Sequence, residues 1–182
     1  MPGVIDDHVH FRDPGLTAKG DFCSVSRAAA AGGVTTVFDM PNCVPQTTTK
    51  EAFDEKWQIA ANKSVVNYGF FFGATAGNAY ELSKLNPRKV AGIKLFMGSS
   101  TGNMLVNDER ALRAIFENAK LPIMAHCENS SLIDENMKAA QAQYGADPDV
   151  RHHPEIRSEE ACYASTSLAI RLAQEALSLI HI

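Results

Sequence analysis

The chain has 182 residues, of which 45% are hydrophobic and 21% are charged, and its formal net charge is −4. This composition is typical of a globular protein, and the length suits one domain with a substantial core or part of a larger domain. The small negative charge provides no basic surface for nucleic acid or for an anionic membrane, so neither partner is expected. We find no signal peptide and no apolar run of about 18 to 20 residues. Four cysteines without CxxC spacing argue against a zinc ribbon or a disulfide framework and favour a reducing, cytoplasmic location.

The hydrophobic pattern predicts strands that alternate with helices along the chain. Short runs rich in β-branched and aromatic residues predict strands over 4–11, 34–40, 65–74, 90–97 and 122–128. Helical periodicity and capping residues predict helices over 21–32, 48–62, 78–85, 107–119, 130–144 and from Ser158 onward. Thr48 and Glu51 have the spacing of a capping box at the start of the second helix. The polar stretch 145–154 is expected to be a loop.

Nearly continuous apolar strands, each followed by a helix, are the signature of a parallel sheet covered by helices. This pattern fits either an open doubly wound sheet or a (β/α)8 barrel. No GxGxxG motif follows the first strand, which argues against a dinucleotide-binding fold. A barrel has eight strands and typically about 250 residues, and it carries its functional groups at the C-terminal ends of the strands. We therefore predict an α/β fold, a partial (β/α)8 TIM-type barrel with about the first five to six β/α units.

Two histidines, His8 and His10, end the first predicted strand. Side chains two residues apart in a strand share a face, so the two imidazoles project together while Val9 points into the core. Two adjacent imidazoles could form half of a metal site. The alternative is an ordinary half-exposed strand, and the pair alone does not decide between the two interpretations.

A lysine and a third histidine occur in later apolar strands. Lys94 lies between Ile93 and Leu95, where a buried ammonium group is costly unless it is paired or neutral. A neutral amine can capture carbon dioxide, and the resulting carbamate can bridge two cations; a snorkelling or salt-bridged lysine is the alternative. His126, in the fifth predicted strand, is either a core histidine or a further ligand. Imidazole nitrogen and carboxylate-like oxygen together suit zinc, with manganese, cobalt or iron as alternatives.

Five motifs, in the same order along the chain, resemble the amidohydrolase superfamily and, within it, the bacterial dihydroorotases. They are HVHFRDPG at 8–15, MPN at 40–42, GIKLFMGSSTGNM at 92–104, AHCENS at 125–130 and HHPEIRSEEAC at 152–162. The resemblance extends to about Glu175 and implies a metal-dependent cyclic amidohydrolase built on a (β/α)8 barrel. The implied reaction is the reversible hydrolysis of (S)-dihydroorotate to N-carbamoyl-L-aspartate in de novo pyrimidine biosynthesis, by a hydroxide that bridges two metal ions.

The resemblance also implies a role for each candidate residue. His8 and His10 would bind the more buried Zn²⁺, carbamylated Lys94 would bridge the two ions, and His126 would bind the second. The general acid and base would be an Asp expected beyond the C-terminus, so that no catalytic residue is assigned within the chain.

Arg12 and Asn42 would bind the free carboxylate of the substrate, as the same resemblance implies. Arg12 lies two residues beyond His10 on the same strand face, and a guanidinium group can bind a carboxylate through two parallel hydrogen bonds. Without the resemblance, Arg12 could equally be a solvated arginine at a strand end, and Asn42 a turn residue.

The chain departs from this family at both ends. Such enzymes begin earlier, with strands of a small β-sandwich, and continue well beyond residue 182. We therefore expect 1–182 to be the N-terminal part of an amidohydrolase-type barrel domain that is inactive alone, with the full-length parent as the enzyme. The tail 177–182 lacks the Gly-containing turn expected before a sixth strand, so the tail is doubtful and His181 is left unassigned.

Two other functions remain open. A dihydropyrimidinase, hydantoinase or allantoinase would share the histidine pair and the bridging lysine, but a hydantoin lacks the carboxylate that Arg12 and Asn42 would bind. A non-catalytic dihydroorotase-like structural subunit would typically have lost metal ligands, whereas all four are present here. The expected partner is a small-molecule substrate, and a homo-oligomeric parent remains one option.

Overall fold

The computed structural model describes residues 1–98 and 104–181. Within these residues, six parallel strands form one sheet in the order of the sequence. The strands are β1 (Val4–Val9), β2 (Val34–Asp39), β3 (Asn67–Gly73), β4 (Val90–Phe96), β5 (Ile123–His126) and β6 (Ile180–His181). The helices are α1 (Phe22–Ala31), α2 (Lys50–Lys63), α3 (Ala79–Leu82), α4 (Glu109–Asn118), α5 (Ser130–Tyr144), α6 (His153–Ile156) and α7 (Glu159–Ala176). Residues 99–103, in the middle of the 92–104 motif, and Ile182 in the tail lie outside the described residues.

The strand order decides between the two architectures that the sequence allows. Each strand pairs in parallel with the next one along the chain, so the order runs from β1 to β6 without reversal. A doubly wound sheet reverses its strand order at a switch point, whereas a (β/α)8 barrel adds each strand beside the previous one. The prediction of a partial barrel is therefore confirmed.

Most element boundaries agree with the predictions to within three residues, and two local predictions are wrong. Helix α2 is capped by Thr49 rather than Thr48, because the Thr49 hydroxyl accepts the backbone N–H of Ala52. The predicted loop at 145–154 contains a 3-10 turn, Val150–His152, and the start of α6. The Asp149 side chain caps this turn.

The hydrophobic core lies between the sheet and its helices. Successive side chains of a strand point to opposite faces, so that every second residue contributes to this core. Phe70 and Phe72 of β3 and Ile93 and Leu95 of β4 are buried there. Lys94 alternates with the last two and therefore projects from the opposite face, which lines the interior of a barrel.

A buried ion pair links the end of β2 to α2. Lys56 is 0% exposed, and its Nζ lies 2.6 Å from Oδ2 of Asp39, which is 1% exposed. The Lys56 ammonium also donates to the Met40 carbonyl at 2.8 Å, and Asp39 Oδ1 accepts the N–H of Phe11 at 2.8 Å. The pair therefore fixes the chain where β1 and β2 end.

The two outer strands, β1 and β6, each have one edge without a strand partner in the described part of the chain. Helix α7 ends at Ala176 because Leu177 adopts a left-handed conformation, with φ of 53°. Residue Leu177 thus makes the turn that a glycine was expected to make, and the doubtful tail includes a short strand, in which His181 pairs with Met124. None of the helices in the described ranges is long and apolar enough to cross a membrane.

Candidate metal centre

The predicted histidine pair lies at the C-terminal end of β1. The ring centroids of His8 and His10 are 5.4 Å apart, and the rings are tilted by 48°. Val9 points the other way and packs against the core. The structure therefore brings the two imidazoles together, as their spacing in a strand predicts.

The environment keeps both imidazoles neutral near pH 7. Burial, together with the positive charge of Arg12, lowers the pKa of His10 to about 4. Burial also lowers the pKa of His8, and the charge of Lys94 acts in the same direction. A neutral imidazole has the free lone pair that a metal ligand requires. The pair is thus chemically suited to bind a divalent cation.

Lys94 lies on β4 and is buried, with 3% of its surface exposed. Its Nζ is 5.0 Å from the centroid of the Phe96 ring, and no carboxylate in the described residues forms an ion pair with it. Burial lowers the pKa of the Lys94 amine, which favours the neutral form that reacts with carbon dioxide. Its charge also acts on both His8 and His10, so that Lys94 belongs to the same group of side chains.

His126 ends β5 and is held by a carboxylate. Its Nε2 lies 3.0 Å from Oε2 of Glu128, which in turn accepts a hydrogen bond from Arg157. His126 acts electrostatically on His8, but no three His, Cys, Asp or Glu side chains in the described residues are close enough together to hold a metal ion. The structure therefore groups His8, His10 and Lys94, and leaves His126 beside Glu128.

The two predicted carboxylate-binding residues are neighbours. Arg12 follows β1 with a left-handed backbone, φ of 64°, and its Nη1 lies 3.4 Å from the backbone carbonyl of Asn42. Such sparsely populated backbone conformations concentrate at functional sites. Asn42 is 8% exposed, and its Oδ1 is buried without a hydrogen-bond partner in the described residues. A guanidinium group without a carboxylate partner in the described residues, beside the Asn42 side chain, is an arrangement that an anionic ligand would complete.

His181 is not brought to this group. It pairs with Met124, which also pairs with Lys94, so it lies at the level of Lys94 along the strands and not at that of His126. Its side chain is exposed. The structure therefore provides no support for His181 beside His126.

Sequence reasoning missed three contacts at or near the site. Glu128 lies two residues after His126, and this spacing was the available signal for their contact. Arg157 lies in the motif at 152–162, but nothing in the sequence paired it with Glu128. The ion pair of Lys56 with Asp39 was detectable only as a charged residue on the apolar face of a helix.

The chain is similar to known cyclic-amide hydrolases. The dihydroorotase of Methanosarcina acetivorans is 38% identical over 186 residues, which cover 100% of this chain and 38% of that protein. The allantoinase of Desulfitobacterium hafniense strain DCB-2 is 40% identical over 140 residues, covering 74% of this chain and 31% of that protein. The solved structure of L-hydantoinase (dihydropyrimidinase) from Arthrobacter aurescens matches with a TM-score of 0.91 and 30% identity, over 99% of this chain and 41% of that one.

These three relatives have different names: dihydroorotase, allantoinase and hydantoinase. The chain spans less than half of the length of each of them. Residues 1–156 match the model of the amidohydrolase family. Since this match includes the strand ends that carry His8, His10, Lys94 and His126, and most of the chain, the chain belongs to the amidohydrolase family.

Proposed function

We propose that the protein containing this chain is a dihydroorotase, which reversibly hydrolyses the cyclic amide of (S)-dihydroorotate to N-carbamoyl-L-aspartate in de novo pyrimidine biosynthesis. Dihydroorotases from several organisms, 37% to 40% identical to the chain, support this assignment. Allantoinases are 35% to 40% identical to the chain, so identity alone does not separate the two activities. The observation that carries the proposal is the position of Arg12.

Arg12 provides a positive charge that no described carboxylate neutralises. Its guanidinium group lies close enough to His10 to lower the pKa of that imidazole, and it contacts the backbone of Asn42. A guanidinium group cannot lose its proton in a protein, so it favours an anionic partner. Dihydroorotate carries a free carboxylate next to its amide ring, whereas a hydantoin ring and allantoin do not. Arg12 therefore favours the carboxylate-bearing substrate.

We propose two Zn²⁺ ions as the cofactors, held by His8, His10, His126 and a carbamate on Lys94. Neutral imidazoles and an anionic oxygen are ligands that zinc accepts, and the buried, unpaired amine of Lys94 is the group able to form the carbamate. Bound divalent cations would polarise the amide carbonyl and activate water at neutral pH.

The residues of this chain would bind and orient the substrate. Arg12 would hold the carboxylate through two parallel hydrogen bonds, and the Asn42 side chain would add a third polar contact. This would fix the amide carbonyl relative to the cations, and such positioning contributes several kcal/mol to catalysis. We assign the proton transfers to an Asp outside this chain, as the resemblance implies.

The test compares substrates and variants in the gene product that contains this chain. We expect turnover of dihydroorotate and little turnover of 5-substituted hydantoins or allantoin. Arg12→Ala should lower kcat/KM for dihydroorotate by roughly 100-fold, because two charge-assisted hydrogen bonds are lost, while the zinc content stays at the wild-type value. Arg27→Ala removes an exposed arginine from α1 and serves as the matched control.

Each other outcome identifies an alternative. Turnover of hydantoins or allantoin without dihydroorotate would replace our proposal with one of the related hydrolases. A protein with neither zinc nor turnover would support the non-catalytic structural role. An Arg12→Ala variant with unchanged kcat/KM would refute the proposed role of Arg12.

A further inference from the structure

A row of three charged or polar side chains connects β5 with the segment between α6 and α7. Arg157 Nη1 donates to Glu128 Oε2 at 2.5 Å, and the same oxygen lies 3.0 Å from His126 Nε2. The contact between Glu128 and Arg157 joins residues that are 29 positions apart in sequence. We call Glu128 and Arg157 the carboxylate brace.

Both members of the brace are fixed by packing. A Cβ atom at Gly98 would come within 2.7 Å of Glu128 Cβ and 2.9 Å of its backbone N, so the chain after β4 lies directly against Glu128. On the other side, Asn136 of α5 donates to the Ile156 carbonyl at 3.1 Å and contacts the Ser158 hydroxyl at 3.4 Å. The residues before and after Arg157 are thus tied to α5. The brace is therefore preorganised.

The brace selects one form of the His126 ring. A carboxylate only accepts hydrogen bonds, so His126 must donate from Nε2, and in the neutral ring the lone pair then lies on Nδ1. Histidine ligands of metals commonly donate their other ring N–H to a carboxylate, which fixes the tautomer and the orientation of the ring. The His126 side chain is 43% exposed and is therefore not closed off from a ligand.

We propose that Glu128 and Arg157 are positioning residues that hold His126 in the Nε2-protonated form and present Nδ1 to the second divalent cation. This inference rests on the proposed function, because that function makes His126 a metal ligand. Arg157 acts through Glu128, because its hydrogen bond orients the carboxylate toward the ring. The brace does not touch His8 or His10, so its removal should affect only one of the two cations.

The experiment measures Zn²⁺ binding to the metal-free gene product by competition with a chelator. In Glu128→Gln, the weaker of the two zinc affinities should fall about 10- to 100-fold, as for other residues that orient metal ligands, and the tighter one should stay unchanged. Arg157→Gln should have a smaller effect of the same kind. The double variant should be no worse than Glu128→Gln alone, because both changes remove the same contact. Glu135→Gln, which removes an exposed carboxylate from α5, is the control.

A second readout is independent of metal and of activity. Nitrogen-15 NMR of the metal-free protein should show His126 with a protonated Nε2 in the wild type and a mixture of tautomers in Glu128→Gln. If one variant fails to fold, the other still decides the question. Two zinc sites in the wild type with unchanged affinities in both variants would overturn the brace alone. A wild type without a second zinc site would overturn the proposed function and the brace together.

Discussion

The buried ion pair of Lys56 with Asp39 allows a quantitative prediction about stability. Lys56→Met keeps the side-chain volume and removes the ammonium group. Asp39, which is 1% exposed, then keeps backbone N–H donors such as that of Phe11 but loses its cationic partner, and the Met40 carbonyl loses the Lys56 ammonium. Breaking a buried ion pair from one side typically costs about 3 to 5 kcal/mol, because the remaining charge is left without compensation. We expect a loss in this range.

The assay is urea-induced unfolding of the gene product, followed by far-ultraviolet circular dichroism. Lys50→Met is the matched control: it is the same substitution in the same helix, but Lys50 is exposed and paired with Asp54 at the surface. Exposed pairs contribute at most about 1 kcal/mol, so the control should be close to the wild type.

A double variant separates the charge from the packing. Adding Asp39→Asn to Lys56→Met removes the uncompensated carboxylate while an amide oxygen can still accept the Phe11 N–H. Replacing both charges of a buried pair is often close to neutral, so the double variant should recover most of the lost stability. A Lys56→Met loss of less than about 1 kcal/mol, or a double variant no more stable than the single one, would refute the reasoning.

Two further predictions concern the site, and a third concerns the open edge of the sheet. Lys94→Met should abolish any increase in zinc loading that bicarbonate produces in the metal-free wild type, and an increase that persists would argue against the carbamate. His10 should titrate by NMR with a pKa of about 4, and Arg12→Ala should raise this value. Because the folded state keeps His10 neutral, its contribution to stability should be present above pH 6.5 and be lost as the pH falls toward 4. The isolated 1–182 chain should self-associate in gel filtration and lack dihydroorotase turnover, because Val4 and Ile5 of an open edge strand are exposed.

The alternation of strands and helices was predictable because strand and helix residues repeat with different periods. The same argument placed His8 and His10 on one face, and the apolar neighbours of Lys94 predicted its burial correctly. The strand order was not predictable, because a doubly wound sheet and a barrel have the same local pattern. Only the pairing of each strand with the next one distinguishes them.

The supporting contacts were less predictable because they join distant parts of the chain. Arg157 meets Glu128 across 29 positions, and no local pattern encodes such a contact. The end of α7 is a different case: Leu177 takes a left-handed conformation that usually calls for glycine, so a rule based on glycine failed there.

The charge balance of the site gives one physical reason for its proposed ligands. The positive charge of Lys94 lowers the pKa of both His8 and His10, and Arg12 adds a charge beside His10 that cannot be removed. Glu128 is the carboxylate closest to His126, and Arg157 already engages it. Divalent cations at this place would add further positive charge, which favours anionic ligands beyond Asp6 and Asp7, the carboxylates that act on His8. A carbamate on Lys94 and the carboxylate of dihydroorotate at Arg12 would be two such anions. The positive charge of the site therefore favours both carbamylation of the lysine and an anionic substrate.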